Sequence, residues 1–193
     1  MNFFSHETAI IESSANVGRG SKIWQWVHVD EYAEIGENVS IGQGCYIGHA
    51  VSIGDGSRVQ NSVNIYKGVV IGADVFLGPN VCFTNINVPR AFVDQREAFL
   101  KTVIADGCTL GAGTIVRCGV SVGMYAFVGA GSLLLNDLPD YSFAVGHPAK
   151  HIGWVDESGV RLPLGVELGA ELILRDRCIM YRVTDSGLQI EKI

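Results

Sequence analysis

The chain has 193 residues, 48% of them apolar, and its 14 Lys and Arg against 20 Asp and Glu give a formal net charge of −6. That balance excludes general binding to nucleic acid or to an anionic membrane, both of which need basic patches. No apolar run reaches the roughly 20 residues of a membrane span. The opening Met-Asn-Phe-Phe-Ser-His-Glu lacks the basic flank and apolar stretch of a signal peptide, so a cytoplasmic protein is expected.

After a lead-in over residues 1–10, an apolar residue returns every six positions from Ile11 through Val17, Ile23 and Val29 to Phe83, and again from Ile104 through Leu110 and Val116 to Leu134. Gly often follows it, as at Gly18, Gly36, Gly54 and Gly111, and a smaller buried-type residue stands four places after it, as Val27, Ala33, Val39 and Cys45. A period of six with two inward positions fits neither the helical period nor strand alternation. It is the signature of a parallel β-helix, and the fold expected is all-β. Three hexads per turn make 18 residues, so the β-helix domain over 11–138 holds about six coils, each rising about 4.8 Å. The function of such a prism sits on its outer faces, in inserted loops or between subunits.

The repeat is interrupted once, over 84–103. A loop of this length inside a repeat domain points to function. Its Phe92, Val93, Phe99 and Leu100 predict an ordered arm extruded from a corner and packing on a neighbouring subunit. Residues 18 apart stack, so Glu31, His49, Lys67 and Asn85 form one polar column and His28, Tyr46, Asn64 and Cys82 another, both leading to the base of the arm. Arg90 at the start of the arm suits a carboxylate or pyrophosphate, which a guanidinium grips bidentately, and Lys67 and Arg96 can share that task. A post-helix segment, 139–163, carries Gly146-His147-Pro148-Ala149-Lys150, and a tail, 164–193, ends in a hairpin with Gly187 as its turn residue. Of five cysteines, Cys45 and Cys108 fall on inward positions; Cys82 and Cys118 do not.

The hexads resemble those of the hexapeptide-repeat acyltransferases. More narrowly, Trp24-Gln25-Trp26-Val27-His28-Val29, Gln60-Asn61-Ser62-Val63-Asn64-Ile65-Tyr66-Lys67-Gly68-Val69, Gly78-Pro79, Phe83-Thr84-Asn85, Pro89-Arg90, Cys118-Gly119-Val120 and Ile152-Gly153-Trp154 resemble the bacterial nucleotide-sugar 3-amino N-acetyltransferases. The likeness spans roughly residues 6–163, and it is greatest to the branch acting on UDP-2-acetamido-3-amino-2,3-dideoxy-glucuronate in lipopolysaccharide O-antigen synthesis. The resemblance implies a left-handed helix, a homotrimer with sites between subunits, and acetyl-CoA as co-substrate without a metal. It gives Asn85 the task of orienting the sugar amine; the columns add His28 as candidate base, ahead of His49, and Asn64, Tyr66, Lys67, Glu31 and, in the arm, Arg90 as candidates around the sugar and its phosphates. Gly111-Ala112, Gly129-Ala130 and Lys150 would line the CoA groove. Ile86 follows Asn85 where enzymes acting on dTDP-3-amino-3,6-dideoxyhexoses often have an acidic residue, which favours the uronate. A silent scaffold is the reading of a different class. A zinc hydratase would need His28, His49 and His147 to converge, and a tail with only Cys178 offers no paired thiolates for a structural metal.

Overall fold

The structure, a computed structural model, describes residues 2–95, 98–174, 179–185 and 187–192. Arg96, Cys178 and Ser186 of the hairpin turn lie outside them. Among the described residues there is no helix.

Each hexad contributes one short strand to one face of a prism. Lys22–Ile23, His28–Val29 and Glu34–Ile35 belong to three different sheets. Each pairs in parallel with the strand 18 residues on, in the registers Lys22↔Ser40, His28↔Tyr46 and Glu34↔Ser52. The three resulting sheets have ten, seven and six strands. The second residue of each strand points inward, so Ile23, Val29, Ile41, Ile47, Ile65 and Leu77 are fully buried. The smaller residue of the hexad fills the inside of the corner, as with Val27, Ala33 and Val39. Where that slot holds a hydroxyl, the coil satisfies it. Buried Ser57 donates to the Gly72 carbonyl at 2.8 Å and accepts from the Val75 amide at 3.0 Å, and Ser21 does the same one coil pair earlier.

The second and third faces begin where the hexads do, at Ile10–Ile11 and Asn16–Val17, whereas the first begins one rung earlier, because Phe4–Ser5, inside the segment read as a lead-in, pairs with Lys22–Ile23. The hexad there is invisible in the sequence: its inward slot is Ser5, exposed at the open end of the prism. At the other end, Ser142–Gly146 extends the first face in parallel, and Ala149–Val155 and Arg161–Leu162 continue it antiparallel. The tail contains the expected hairpin, formed by Ile179–Thr184 and Gly187–Lys192. The sequence left a third strand, Glu171–Leu174, unassigned. Trp154, Leu162, Tyr181, Val183 and Leu188 form a second small core that fastens this sheet to the post-helix segment.

Cys45 and Cys108 face inward as the register requires. Burial pushes their thiols up to about 11 and about 12. Since the thiolate is the reactive form, both should resist iodoacetamide at pH 8 in native protein and react once the coil is unfolded. Mass-spectrometric mapping checks this, and labelling of either without denaturant would show that the coil opens.

Candidate functional site

The outward position of the second face is a ladder of polar and aromatic side chains. The pairings His28↔Tyr46, Tyr46↔Asn64 and Asn64↔Cys82 stack them rung on rung, as the 18-residue spacing requires. The corner that follows carries Glu31, His49 and Lys67, and the backbone bond from the Ala50 amide to the Glu31 carbonyl, 3.0 Å, locks its first two levels together. Asn64 and Tyr66 are half-buried, and Glu31 and Lys67 are exposed.

Aromatic rings and two acids knit this corner. The Tyr46 hydroxyl donates to Asp30 Oδ2 at 2.9 Å, while Asp30 Oδ1 accepts the Glu31 backbone N–H at 2.7 Å. The Tyr46 ring meets the His28 ring edge-on at 5.6 Å and lies 5.8 Å from Tyr66; Tyr32 meets His49 at 5.3 Å. The other acid, Glu12, has its Oε1 3.6 Å from His28 Nε2. The sequence reading missed Asp30 and Glu12, although they stand 18 residues apart and the same ruler aligns them.

The Glu31 amide, then the Tyr46 hydroxyl and the nearby imidazoles, hold the Asp30 carboxyl below its usual range against the opposing effect of burial. Burial first, and Asp30 second, raise Tyr46 to about 12. A carboxylate depressed on folding adds stability that is fully present above the unfolded pKa, near 3.9, and is lost as pH falls through the lower folded value. Thermal midpoints measured between pH 5 and pH 2 should therefore fall less steeply in Asp30→Asn than in wild type; parallel curves would sink this assignment.

The arm leaves the prism after Cys82–Phe83 and rejoins it at Thr102–Ile104. Its neck is closed by the Leu100 N–H donating to the Asn85 carbonyl at 3.1 Å. Thr84 Oγ1 accepts the Cys118 N–H at 2.9 Å, and the Cys118 thiol donates to Asn87 Oδ1 at 3.3 Å. These contacts bury Cys118, which lies off the inward register. The Asn85 backbone is pinned while its half-buried side-chain amide makes no hydrogen bond among the described residues. Arg90 is exposed, donates to the Pro89 carbonyl at 2.9 Å, and lines a hollow inside the arm with Ile86, Val93 and Phe99.

The predicted CoA-side residues do not join this corner. Gly111 and Ala112 follow Thr109–Leu110, and Gly129 and Ala130 follow Phe127–Val128; both strands belong to the first face, so the four residues line the edge between the first and second faces. The two levels touch closely: a Cβ on Gly111 would lie 2.4 Å from the Ala130 nitrogen. Lys150, exposed on the strand paired with Val145, continues that edge, because a Cβ on Gly129 would meet the Val145 side chain at 2.6 Å. Among the described residues no group of three His, Cys, Asp or Glu side chains converges as a metal site, and no helix is long and apolar enough to cross a membrane.

Comparison with known proteins puts this architecture in context. Two family models match, bacterial transferase hexapeptide (six repeats) over residues 14–49 and hexapeptide repeat of succinyl-transferase over residues 32–67 and 101–135. The chain is 41% identical over 152 residues to dTDP-3-amino-3,6-dideoxy-alpha-D-galactopyranose 3-N-acetyltransferase of Aneurinibacillus thermoaerophilus, covering 79% of this chain and 78% of that protein. Two solved structures share the fold. One is a hexapeptide-repeat acetyltransferase from Vibrio cholerae complexed with acetyl-CoA (TM-score 0.54, 21% identity, 61% of this chain and 68% of the other). The other is the acetyltransferase domain of PglB from Neisseria gonorrhoeae complexed with acetyl-CoA (TM-score 0.50, 20% identity, 78% and 58%). The stacked parallel coils without helices agree with the left-handed β-helix expected. With its hexad ladder, its single arm and a relative alike over most of both chains, the protein belongs to the hexapeptide-repeat acyltransferase family.

Proposed function

We propose that this protein transfers an acetyl group from acetyl-CoA to the 3-amino group of a nucleotide-linked amino sugar. The observation that carries the reading is the 41% identity to a dTDP-sugar 3-N-acetyltransferase over 152 residues, 79% of this chain. The amine attacks the thioester carbonyl, the N–C bond forms as the C–S bond breaks, and one ammonium proton must leave. Asn85 is assigned the orienting role, its unengaged side-chain carbonyl accepting from the amine. His28 stands three rungs from Cys82, about 14 Å from the Asn85 level, so it is assigned to the nucleotide end, and the amine's proton is assigned to the departing thiolate. Asn64, Tyr66, Lys67, Glu31 and Arg90 are assigned to the sugar and its phosphates, and Gly111, Ala112, Gly129, Ala130 and Lys150 to CoA. No metal enters this chemistry.

The acceptor corner and the CoA edge lie on different edges of the protomer, so one chain does not assemble both halves. A homotrimer, with the acceptor corner of one subunit facing the CoA edge of the next, resolves this, and the apolar arm, with Phe92 87% exposed, is assigned to that contact. The acceptor we favour is UDP-2-acetamido-3-amino-2,3-dideoxy-glucuronate, for lipopolysaccharide O-antigen synthesis in the cytoplasm, because Ile86 replaces an acidic neighbour of Asn85. A second reading, a dTDP-3-amino-3,6-dideoxyhexose, is favoured by the substrate named for the relative.

Thiol release from acetyl-CoA with a panel of UDP- and dTDP-linked 3-amino sugars tests the chemistry and chooses the acceptor; no release with any amine would overturn it. Mixing tests the shared site. Asn85→Ala and Ala130→Glu proteins, each nearly inactive, should regain activity when unfolded together and refolded as mixed oligomers, since some sites then unite an intact corner with an intact edge. No recovery would argue for sites built within one chain.

A further inference from the structure

The edge between the first and second faces, which carries the proposed CoA residues on its later coils, is built differently towards the N-terminal end. There Trp24 and Trp26 stand 39% and 64% exposed on one corner, and Trp24 borders a hollow of about 270 Å³ with Gln25, Gln43, Gln60 and Asn61. The indole is held in place: its Nε1–H donates to Ser40 Oγ at 3.4 Å, and the Phe4 ring packs against it at 5.5 Å. Asn61 Oδ1 accepts the Gln43 backbone N–H at 3.0 Å and fixes the corner. The side-chain amides of Gln25, Gln43 and Gln60 make no hydrogen bond among the described residues. No Lys, Arg, Asp or Glu lines the hollow among the described residues, so it suits neither a phosphate nor a carboxylate. An anchored indole beside three free amides suits a flat, neutral group that both stacks and hydrogen-bonds. A nucleobase does both, because aromatic side chains stack bases and a Gln amide offers a donor and an acceptor side by side to a base edge.

We propose that this hollow receives the pyrimidine of the nucleotide-linked acceptor, with Trp24 against the ring and the glutamine amides on the imide edge that uracil and thymine share. This rests on the reading of the acceptor as a UDP- or dTDP-linked amino sugar bound between subunits. The rungs supply a ruler. The hollow spans the coils whose second-face rungs are His28, Tyr46 and Asn64, three, two and one before Cys82, and so lies about 5–14 Å from the Asn85 level. In the acceptor about thirteen bonds separate the amine nitrogen from the base, and an extended chain gains about 1.2 Å per bond, so the base stands at most about 15 Å from the amine. With the prisms side by side about a three-fold axis, equal levels of neighbouring subunits meet. An amine at Asn85 of one subunit then brings its base level with the hollow of the next. Lys67, 18 residues before Asn85, lies on the path of the diphosphate, and the uncharged hollow is left for the base.

Calorimetric titration of the full-length protein with UDP and with dTDP reads the hollow without any chemistry. At least one should bind wild type, the tighter of the two identifying the nucleotide, and GDP should bind about tenfold more weakly. Trp24→Ala should weaken that nucleotide about tenfold, as the loss of one base stack does, and Trp24→Phe should recover most of the loss. A double variant, Gln43→Met with Gln60→Met, keeps side-chain length without the amides and should weaken it about fivefold. Neither amide is bonded within the chain, so the double variant keeps its fold even if Trp24→Ala, which strips the support from Phe4, does not. In thiol release both variants should raise KM for the amino sugar and change KM for acetyl-CoA less than about twofold, because CoA is assigned to later coils. Binding of neither nucleotide to wild type, unmoved affinity in the double variant, or a raised KM for acetyl-CoA in place of that for the sugar would overturn the proposal. Acetyl transfer with an affinity indifferent to both variants removes the hollow and leaves the acetyltransferase reading standing. Nucleotide binding that depends on Trp24 and the glutamines, without transfer to any amine, does the reverse.

Discussion

Asn85→Ala should lower kcat/KM for acetyl transfer by about 100-fold while moving the thermal midpoint by less than about 2 °C. The two halves of that expectation come from one geometric fact. The Asn85 backbone carbonyl accepts from Leu100 and closes the neck of the arm, a bond that alanine retains. The side-chain amide is bonded to nothing among the described residues, so its removal costs the folded state little. Its assigned work is to aim an amine lone pair at the thioester, and a misplacement of about 1 Å is enough for a loss of that size. Steady-state thiol release gives the ratio and a thermal melt gives the control. A variant that loses the midpoint together with the activity would instead make Asn85 a structural pin of the arm.

Gly54→Ala should be strongly damaging, destabilising the protein by about 3 kcal/mol and lowering the midpoint by about 10 °C. Gly54 leaves the third face just after inward Ile53, and its amide donates to the Ile71 carbonyl of the next coil at 2.9 Å. A Cβ there would lie 2.5 Å from both the Ala73 nitrogen and the Gly72 carbonyl carbon, which are backbone atoms of that coil. Neither can step aside without lengthening the ladder bonds on both sides. Gly131→Ala is the comparison, because its φ of 69° is in the left-handed region but nothing lies within 4 Å of the added carbon. It should cost about 1–2 kcal/mol of backbone strain alone. Equal losses in the two variants would mean that close stacking of the coils is not what demands Gly54.

The inward ladder was legible because a buried slot recurring at a fixed interval leaves an apolar mark, and the polar columns followed from the same interval applied to outward positions. The separation of the proposed acceptor corner from the proposed CoA edge was implicit too: Glu31 comes just after a second-face strand and Gly111 just after a first-face strand. The first rung at Phe4–Ser5 was not legible, since an end coil has no neighbour below to enforce an apolar slot at Ser5. Cys118 was misleading for the converse reason. Its position faces out, and only the arm folding back through Thr84 and Asn87 covers it, a contact with no periodic trace. Glu12 and Asp30 passed unnoticed because the corners of a solenoid are acidic for solubility as often as for chemistry. It took the ring nitrogen beside one and the phenol on the other to distinguish them.

The constant 18-residue register also limits how such a gene can change length. Deleting or adding one hexad within the coil would turn every later rung by one face, carrying the rungs beyond the cut away from the His28 ladder. Whole-coil changes would instead slide the two ends apart along the axis. The arm escapes both limits. Val69 pairs with Thr102, 33 positions on, and Ile71 with Ile104, so the coil resumes in step although the chain between is longer than a turn. Length and sequence can therefore vary in the arm without disturbing a single rung. In a lineage of such enzymes, insertions and deletions should collect there, beside the neck that holds Asn85, while the prism keeps its count.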